Sequence, residues 1–241
     1  MVFDGPLVAR GFLGGTGRAN AACSLDPSPD PDLAARVARV EADYARWGLP
    51  TRFRLTPLDP PGLRDLLLAR GGYEEEDGAV VMAGPLAPLA RPADGRVSVL
   101  AAPDAAWLAV TATAEHQTEA RRAEKLASVP LLARPAAWAV ARLGDGGEEP
   151  VAVAHAVADG RLCGIFDVAT DPRHRRRGHA GRAMAALAAW AAGQGAEVAW
   201  LQVGVENAAA RALYARLGLR EVYCYAYLVR RRRGAGESRR A

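Results

Sequence analysis

One order of elements occurs twice along this 241-residue chain. Residues 38–55 followed by 63–84 read as helix, strand, helix, glycine, strand. Residues 183–203 followed by 210–229 read the same way. Setting Gly72 against Gly218 puts Leu67 on Leu213, Arg70 on Arg216 and Leu68 on Tyr214. A repeat at this scale predicts two related halves, each a supersecondary unit of a larger fold. A chance match of two amphipathic helices is the competing account.

The local signals fill in the rest. Residues 6–27 alternate apolar positions around a Gly-rich turn and predict a hairpin. Leu33, Val37, Val40 and Tyr44 step at helical spacing after Asp30 or Asp32, and Gly48 and Pro50 end that helix. Strands are expected at 51–57 and 78–86, with a helix between them that opens on proline and closes at Gly71-Gly72. Residues 87–96 are rich in Pro, Ala and Gly and predict a linker. Beyond it come a strand at 96–103, a helical stretch from Asp104 with a break near Glu115, and three strands joined by Gly/Asp turns. The domains expected are 1–90, 91–230 and a basic, disordered tail at 231–241. The fold class is α/β (α+β), a mixed and mostly antiparallel sheet flanked by helices.

Composition narrows the function classes. Half the residues are hydrophobic, enough for a sizeable core, and the net charge of +4 does not single out nucleic acid. Lys125 is the only lysine. Three separated cysteines, Cys23, Cys163 and Cys224, form no CxxC and no zinc spacing, so no metal and a reduced, cytoplasmic setting are expected. Asp4 and Gly5 interrupt the first apolar run, which makes a poor signal peptide. No run approaches the ~18 apolar residues of a membrane span.

The chemistry concentrates at residues 167–184. A strand ends at Pro172, an Arg-rich loop follows, and a helix begins after Gly178. The first N–H groups of a helix have no internal partner and the helix dipole is positive there, so the layout makes an anion site from backbone. A solvated basic loop is the plain alternative. The spacing fits neither GxGxxG nor a Walker A loop.

The stretch resembles the coenzyme A loop of the GNAT acetyltransferases: Gln or Arg, two residues, Gly, one residue, then Gly or Ala. Arg175-Arg176-Arg177-Gly178-His179-Ala180 meets every defined position. "DVATDP" before it is similar to that family's preceding strand, and "ENAAARALYARLGL" to its second signature. The resemblance spans about residues 96–230; the first half resembles a degenerate copy without the loop, as in tandem forms.

The resemblance implies roles for matched positions. Val168, Ala169 and Thr170 would pair with the pantetheine arm beside a splayed strand. Backbone N–H groups of Arg175, Arg176, Arg177, Gly178, His179, Ala180 and Gly181 would hold the pyrophosphate. Asn207 would contact the cofactor, and Tyr214 would stand near the sulfur. Asn207, Ala210 and Tyr214 fall at i, i+3 and i+7, one stripe of a helix. A leaving thiolate needs a donor such as a phenol, and an attacking ammonium needs a base. Asp167 is the first candidate base, with His155 and Glu206 behind it. His116 reads as a solvated helix histidine, and Tyr223, Tyr225 and Tyr227 as one face of the last strand.

The expected function is acetyl transfer from acetyl-CoA directly to a primary amine of a small molecule or peptide. The alternative is a non-catalytic acyl-CoA-binding sensor. A nucleic-acid partner is disfavoured because the loop lacks interleaved aromatics. A membrane partner is not expected. The acceptor is not readable, and the chain would act as a monomer or homodimer.

Overall fold

Leu33, Val37, Val40 and Tyr44 are all buried on one stripe of a helix, α1 (Leu33–Trp47), in the computed structural model, which describes residues 1–114, 117–144 and 149–231. Gly48 caps α1 in left-handed backbone and turns the chain into β4 (Thr51–Leu55). Asp32 is the N-cap residue of α1, but its side chain makes no capping bond. Then follow α2 (Leu63–Ala69) and a long strand, β5 (Glu74–Pro85). Ahead of α1, β1 (Val2–Asp4), β2 (Leu7–Ala9) and β3 (Cys23–Ser24) form a three-stranded antiparallel sheet. The expected hairpin is β2 with β3, but its arms are short. The chain between them is organised by a buried asparagine: Asn20 Oδ1 accepts from the N–H of Phe12 (2.7 Å) and Gly14 (3.1 Å), and its amide nitrogen donates to Thr16 O (2.8 Å).

The remaining elements are β6 (Val97–Leu100), α3 (Ala105–Ala112), α4 (Glu119–Ser128), β7 (Ala136–Arg142), β8 (Pro150–Asp159), β9 (Leu162–Thr170), α5 (His179–Gly193), β10 (Val198–Gly204), α6 (Ala208–Arg216) and β11 (Arg220–Arg230). The helical stretch from Asp104 does break, with Asp104 capping α3 and Thr118 capping α4 through their side chains. Glu115, His116 and the tail from residue 232 lie outside the described residues.

Two units emerge, Met1–Ala79 with the residues from Tyr223 onward, and Val80–Val222. In the first, β4 pairs antiparallel with β11, placing Leu228 opposite Phe53, and both join the core of Val37, Tyr44, Leu63 and Leu67. In the second, the strands run in the order β5-β10-β9-β8-β7-β6. The last strand of each repeat therefore begins in one unit and ends in the other: β5 crosses at Ala79/Val80 and β11 at Val222/Tyr223. Two glycines let these strands approach closely. A Cβ on Gly78 would stand 1.5 Å from Tyr225 O, and one on Gly84 2.5 Å from Gly218 O.

The division does not fall at residues 87–96, the expected linker. The start of that stretch is anchored: Leu86 just before it and Leu89 within it are buried, Leu86 N–H donates to Glu197 O (2.7 Å), and Arg91 N–H donates to Ala185 O at the side of α5 (3.1 Å), whereas residues 91–95 are exposed.

The second unit is layered around its sheet. Ala137, Ala139, Ala141, Ala152, Ala154 and Ala156 face α5, whose Ala183, Met184, Leu187, Ala188 and Ala191 complete that core. Small side chains on both surfaces let helix and sheet pack closely. Trp107 and Val110 of α3 cover the other face with Trp138, Val140 and Val153. No helix among the described residues is long and apolar enough to cross a membrane.

Candidate functional site

Two irregularities in β9 create the site. The first is a fork. β9 and β10 run parallel and pair only through Leu162–Gly164 and Val198–Trp200. Beyond Gly164 the strands separate, so Ile165–Thr170 has no register partner in β10. The rings of Phe166 and Trp200 meet edge-on over the fork, 5.4 Å between centroids. Gly164 leaves room beneath them, since a Cβ there would stand 2.7 Å from the Phe166 ring and the ring would have to shift. Val168, Ala169 and Thr170 lie on this separated edge.

The second irregularity is a bulge. On β8 the step from Val153 to His155 spans two residues; on β9 the matching step from Ala169 to Phe166 spans three. Asp167 is the extra residue and holds a left-handed backbone at φ +50°. Strict alternation from Ile165, which packs on the α5 side, would point Asp167 into the alanine core. The bulge turns it to the opposite face instead. There its carboxylate lies 2.9 Å from Lys125 Nζ and 3.1 Å from His155 Nδ1. The first is an ion pair and the second a close polar contact, and neither meets hydrogen-bond geometry. Burial works to raise the Asp167 carboxyl, but the contact with His155 and the Lys125 charge outweigh it and hold it well below the usual carboxylate range.

An aromatic row frames this cluster. Trp138, His155 and Phe166 are register partners across β7, β8 and β9. The imidazole stacks on Trp138 (5.6 Å) and Phe166 (5.1 Å) and meets Trp107 edge-on at 6.2 Å. Trp107 is fixed by its indole N–H donating to Ala154 O (3.0 Å), and Lys125 Nζ stands 5.2 Å from its ring. Lys125 also lines a cavity of about 380 Å³ between α3 and α4, with Leu108, Thr111, Gln117, Glu119 and Arg122.

The Arg-rich loop lies at the start of α5. Arg173 is held by Asp171 and Glu149, and its hydrogen bonds hold the Asp171 carboxyl down at about 2. Arg175, Arg176 and Arg177 are exposed. Gly178 is the N-cap, at φ +79°. The first bond of the helix runs from Arg182 N–H to Gly178 O (3.1 Å). The N–H groups of His179, Ala180 and Gly181 therefore emerge from the helix start without intrahelical partners. No atom approaches within 4 Å of where a Cβ on Gly178 or Gly181 would stand. The His179 ring is buried beneath this turn, and burial lowers its pKa, favouring the neutral form.

Asn207 is not on the helical stripe with Ala210 and Tyr214. It is the N-cap of α6, and its Oδ1 accepts from Ala210 N–H (3.0 Å). That bond leaves the amide NH₂ and the second lone pair of Oδ1 for a ligand. Tyr214 is buried with Leu201 and Val203 of β10, and its hydroxyl makes no hydrogen bond among the described residues. Burial pushes this phenol up to about 12. The Cys163 thiol is likewise pushed up to about 12 by burial, which disfavours it as a nucleophile. Among the described residues no grouping of His, Cys, Asp and Glu could hold a metal ion.

Sequence reasoning missed Lys125, Trp107 and Trp138. The signal for the two tryptophans was weak, since each reads as an apolar core position. Lys125 carried a better signal, as the one lysine in an arginine-rich chain.

The family described as "Probable histone acetyltransferase Rv0428c C-terminal" matches residues 2–228. No curated protein sequence matches the chain. Among solved structures, a GCN5-related N-acetyltransferase from Kribbella flavida is similar, with TM-score 0.69 and 22% identity over 98% of this chain and 91% of that one. A functionally unknown conserved protein from Staphylococcus epidermidis gives TM-score 0.67 and 11% identity, over 95% and 92%. A tandem GNAT protein from the clavulanic acid biosynthesis pathway gives 0.60 and 14%, over 89% and 76%. At these identities the structures show a shared fold. Matched over nearly its whole length, the chain belongs to the Rv0428c C-terminal family, and it shares its fold with GCN5-related N-acetyltransferase structures.

Proposed function

We propose that the protein transfers an acetyl group from acetyl-CoA directly to a primary amine. The observation that carries this reading is the placement of an open strand edge and an uncapped helix start at the two ends of one segment, Ile165–Gly181. The pantetheine arm would add to the free edge of β9, and the pyrophosphate would meet the N–H groups ahead of α5. Arg175, Arg176 and Arg177 strengthen the positive field around it. Asn207 would reach the cofactor through its amide.

The acyl group then falls near the bulge, and the α3–α4 cavity is the proposed acceptor site. Backbone N–H groups of the bulged strand polarise the thioester carbonyl. Tyr214 donates a hydrogen bond to the departing thiolate; at about 12 it keeps its own proton at neutral pH. Asp167 takes part in deprotonating the amine. The first unit, a degenerate copy without the loop, would serve a structural role.

The test is thiol release from acetyl-CoA across a library of primary amines, with Tyr214→Phe as control. Turnover with one class of amine, slowed in the variant, is the expected result. Acetyl-CoA binding with no thiol released by any amine would leave a binding protein and end the enzyme reading.

A further inference from the structure

We propose that His155 Nε2, oriented through Asp167, is the atom that accepts the proton from the acceptor's ammonium group. This rests on the acetyl-transfer reading and assigns a step within it. A carboxylate clamped between a lysine and an imidazole is a weak base, so Asp167 is poorly suited to take that proton itself. Its geometry suits a different task. One carboxylate oxygen is anchored by Lys125 from α4, and the other faces His155 Nδ1 at 3.1 Å. That contact favours the tautomer with its proton on Nδ1 and leaves the lone pair on Nε2.

The surroundings of the two ring nitrogens differ as this role requires. Nδ1 is fully buried. Nε2 is not among the sealed atoms and makes no hydrogen bond with the described residues, while the side chain keeps 15% of its surface exposed. The ring cannot swing freely, since Trp138 and Phe166 stack on its faces and Trp107 meets it edge-on. The charged groups at the imidazole are Asp167 and, through it, Lys125; the packing residues from α3, β7 and β9 are uncharged. Lys125 joins the cluster to the proposed acceptor cavity.

The step balances without another reactant. R–NH₃⁺ gives one proton to Nε2, and the freed nitrogen lone pair forms a bond to the thioester carbon. The C–S bond then breaks and sulfur leaves with the electron pair. A second proton passes from nitrogen to sulfur, giving the amide and free thiol. The proton on His155 returns to water.

Nitrogen-15 labelling of the histidines in the full chain tests the tautomer without any acceptor, with His155→Gln identifying the signal. The expected spectrum at neutral pH shows His155 protonated on Nδ1, and Asp167→Asn shifts it toward the other tautomer. A wild-type His155 protonated on Nε2 overturns the proposal. In the thiol-release assay, His155→Gln should lower kcat about 100-fold with the KM for acetyl-CoA retained, and remove the loss of rate on acidification. An active wild type whose His155→Gln variant keeps both its rate and its acid limb also overturns it. An inactive wild type would instead end the acetyl-transfer reading, and the tautomer measurement would still decide the Asp167–His155 arrangement.

Discussion

Arg176 and Gly178 lie two residues apart and both hold left-handed backbone, at φ +63° and +79°. For glycine this conformation is free; for arginine it costs about 1 kcal/mol. The loop thus bends twice before α5, and the bends rather than the guanidinium groups aim its N–H groups.

Gly178→Ala and Arg176→Gly should therefore differ in their effects. The alanine has room, since nothing stands within 4 Å of its Cβ, yet its backbone is strained. It should lose roughly 1 kcal/mol of stability and bind acetyl-CoA more weakly. Arg176→Gly should hold its affinity within a few-fold despite the lost charge. Thermal melts and calorimetric titration with acetyl-CoA read both.

Tyr214→Phe should separate activity from stability. The hydroxyl has no hydrogen bond within the described protein, so its removal leaves no partner stranded and the melting temperature should hold or rise. The same change should lower kcat some 10- to 100-fold if the phenol assists the thiolate. A melting temperature that falls along with kcat would mark a packing role instead.

Asp59 predicts a pH dependence in the first unit. Burial pushes its carboxyl up to about 6, against the bond from Thr56 N–H (2.9 Å) and the charge of Arg54. Its Oδ1 has no hydrogen-bond partner among the described residues. The native state holds a proton that the unfolded chain, near 3.9, has released. Stability from this group is therefore full below about 4 and is lost as pH rises through 6. Asp59→Asn should be more stable than wild type at pH 7, by about 1 kcal/mol after solvent screening, and the gap should close near pH 4. Melting temperatures of both proteins from pH 4 to 7 check this.

Gly78→Ala should be among the most damaging single changes. Its Cβ would stand 1.5 Å from Tyr225 O, a backbone atom held in β11. Separation of the two strands is the way to relieve that clash, at a cost of at least about 3 kcal/mol. Soluble yield and chemical denaturation measure the loss.

Much of the fold was legible because its signals are local. Leu33, Val37, Val40 and Tyr44 marked their buried stripe, and Gly178 marked the start of α5. What the sequence hid depends on pairing between distant residues. Nothing near Asp167 announces the extra residue that rotates it away from the alanine core, because a bulge is defined by the opposing strand. Asn207 misled for a related reason: helical spacing cannot distinguish the first residue of a helix from the cap before it. Residues 87–96 had a linker's composition, yet Leu89 within them and Leu86 just before them find apolar partners that composition does not reveal.

The route of β11 bears on how the protein is made. β4 leaves the ribosome early, but its partner residues Ala226–Arg230 follow only after the whole second unit has been synthesised. Until then the edge of β4 and the apolar face of Phe53 lack their native cover. The first unit therefore cannot complete its core until the second has been translated.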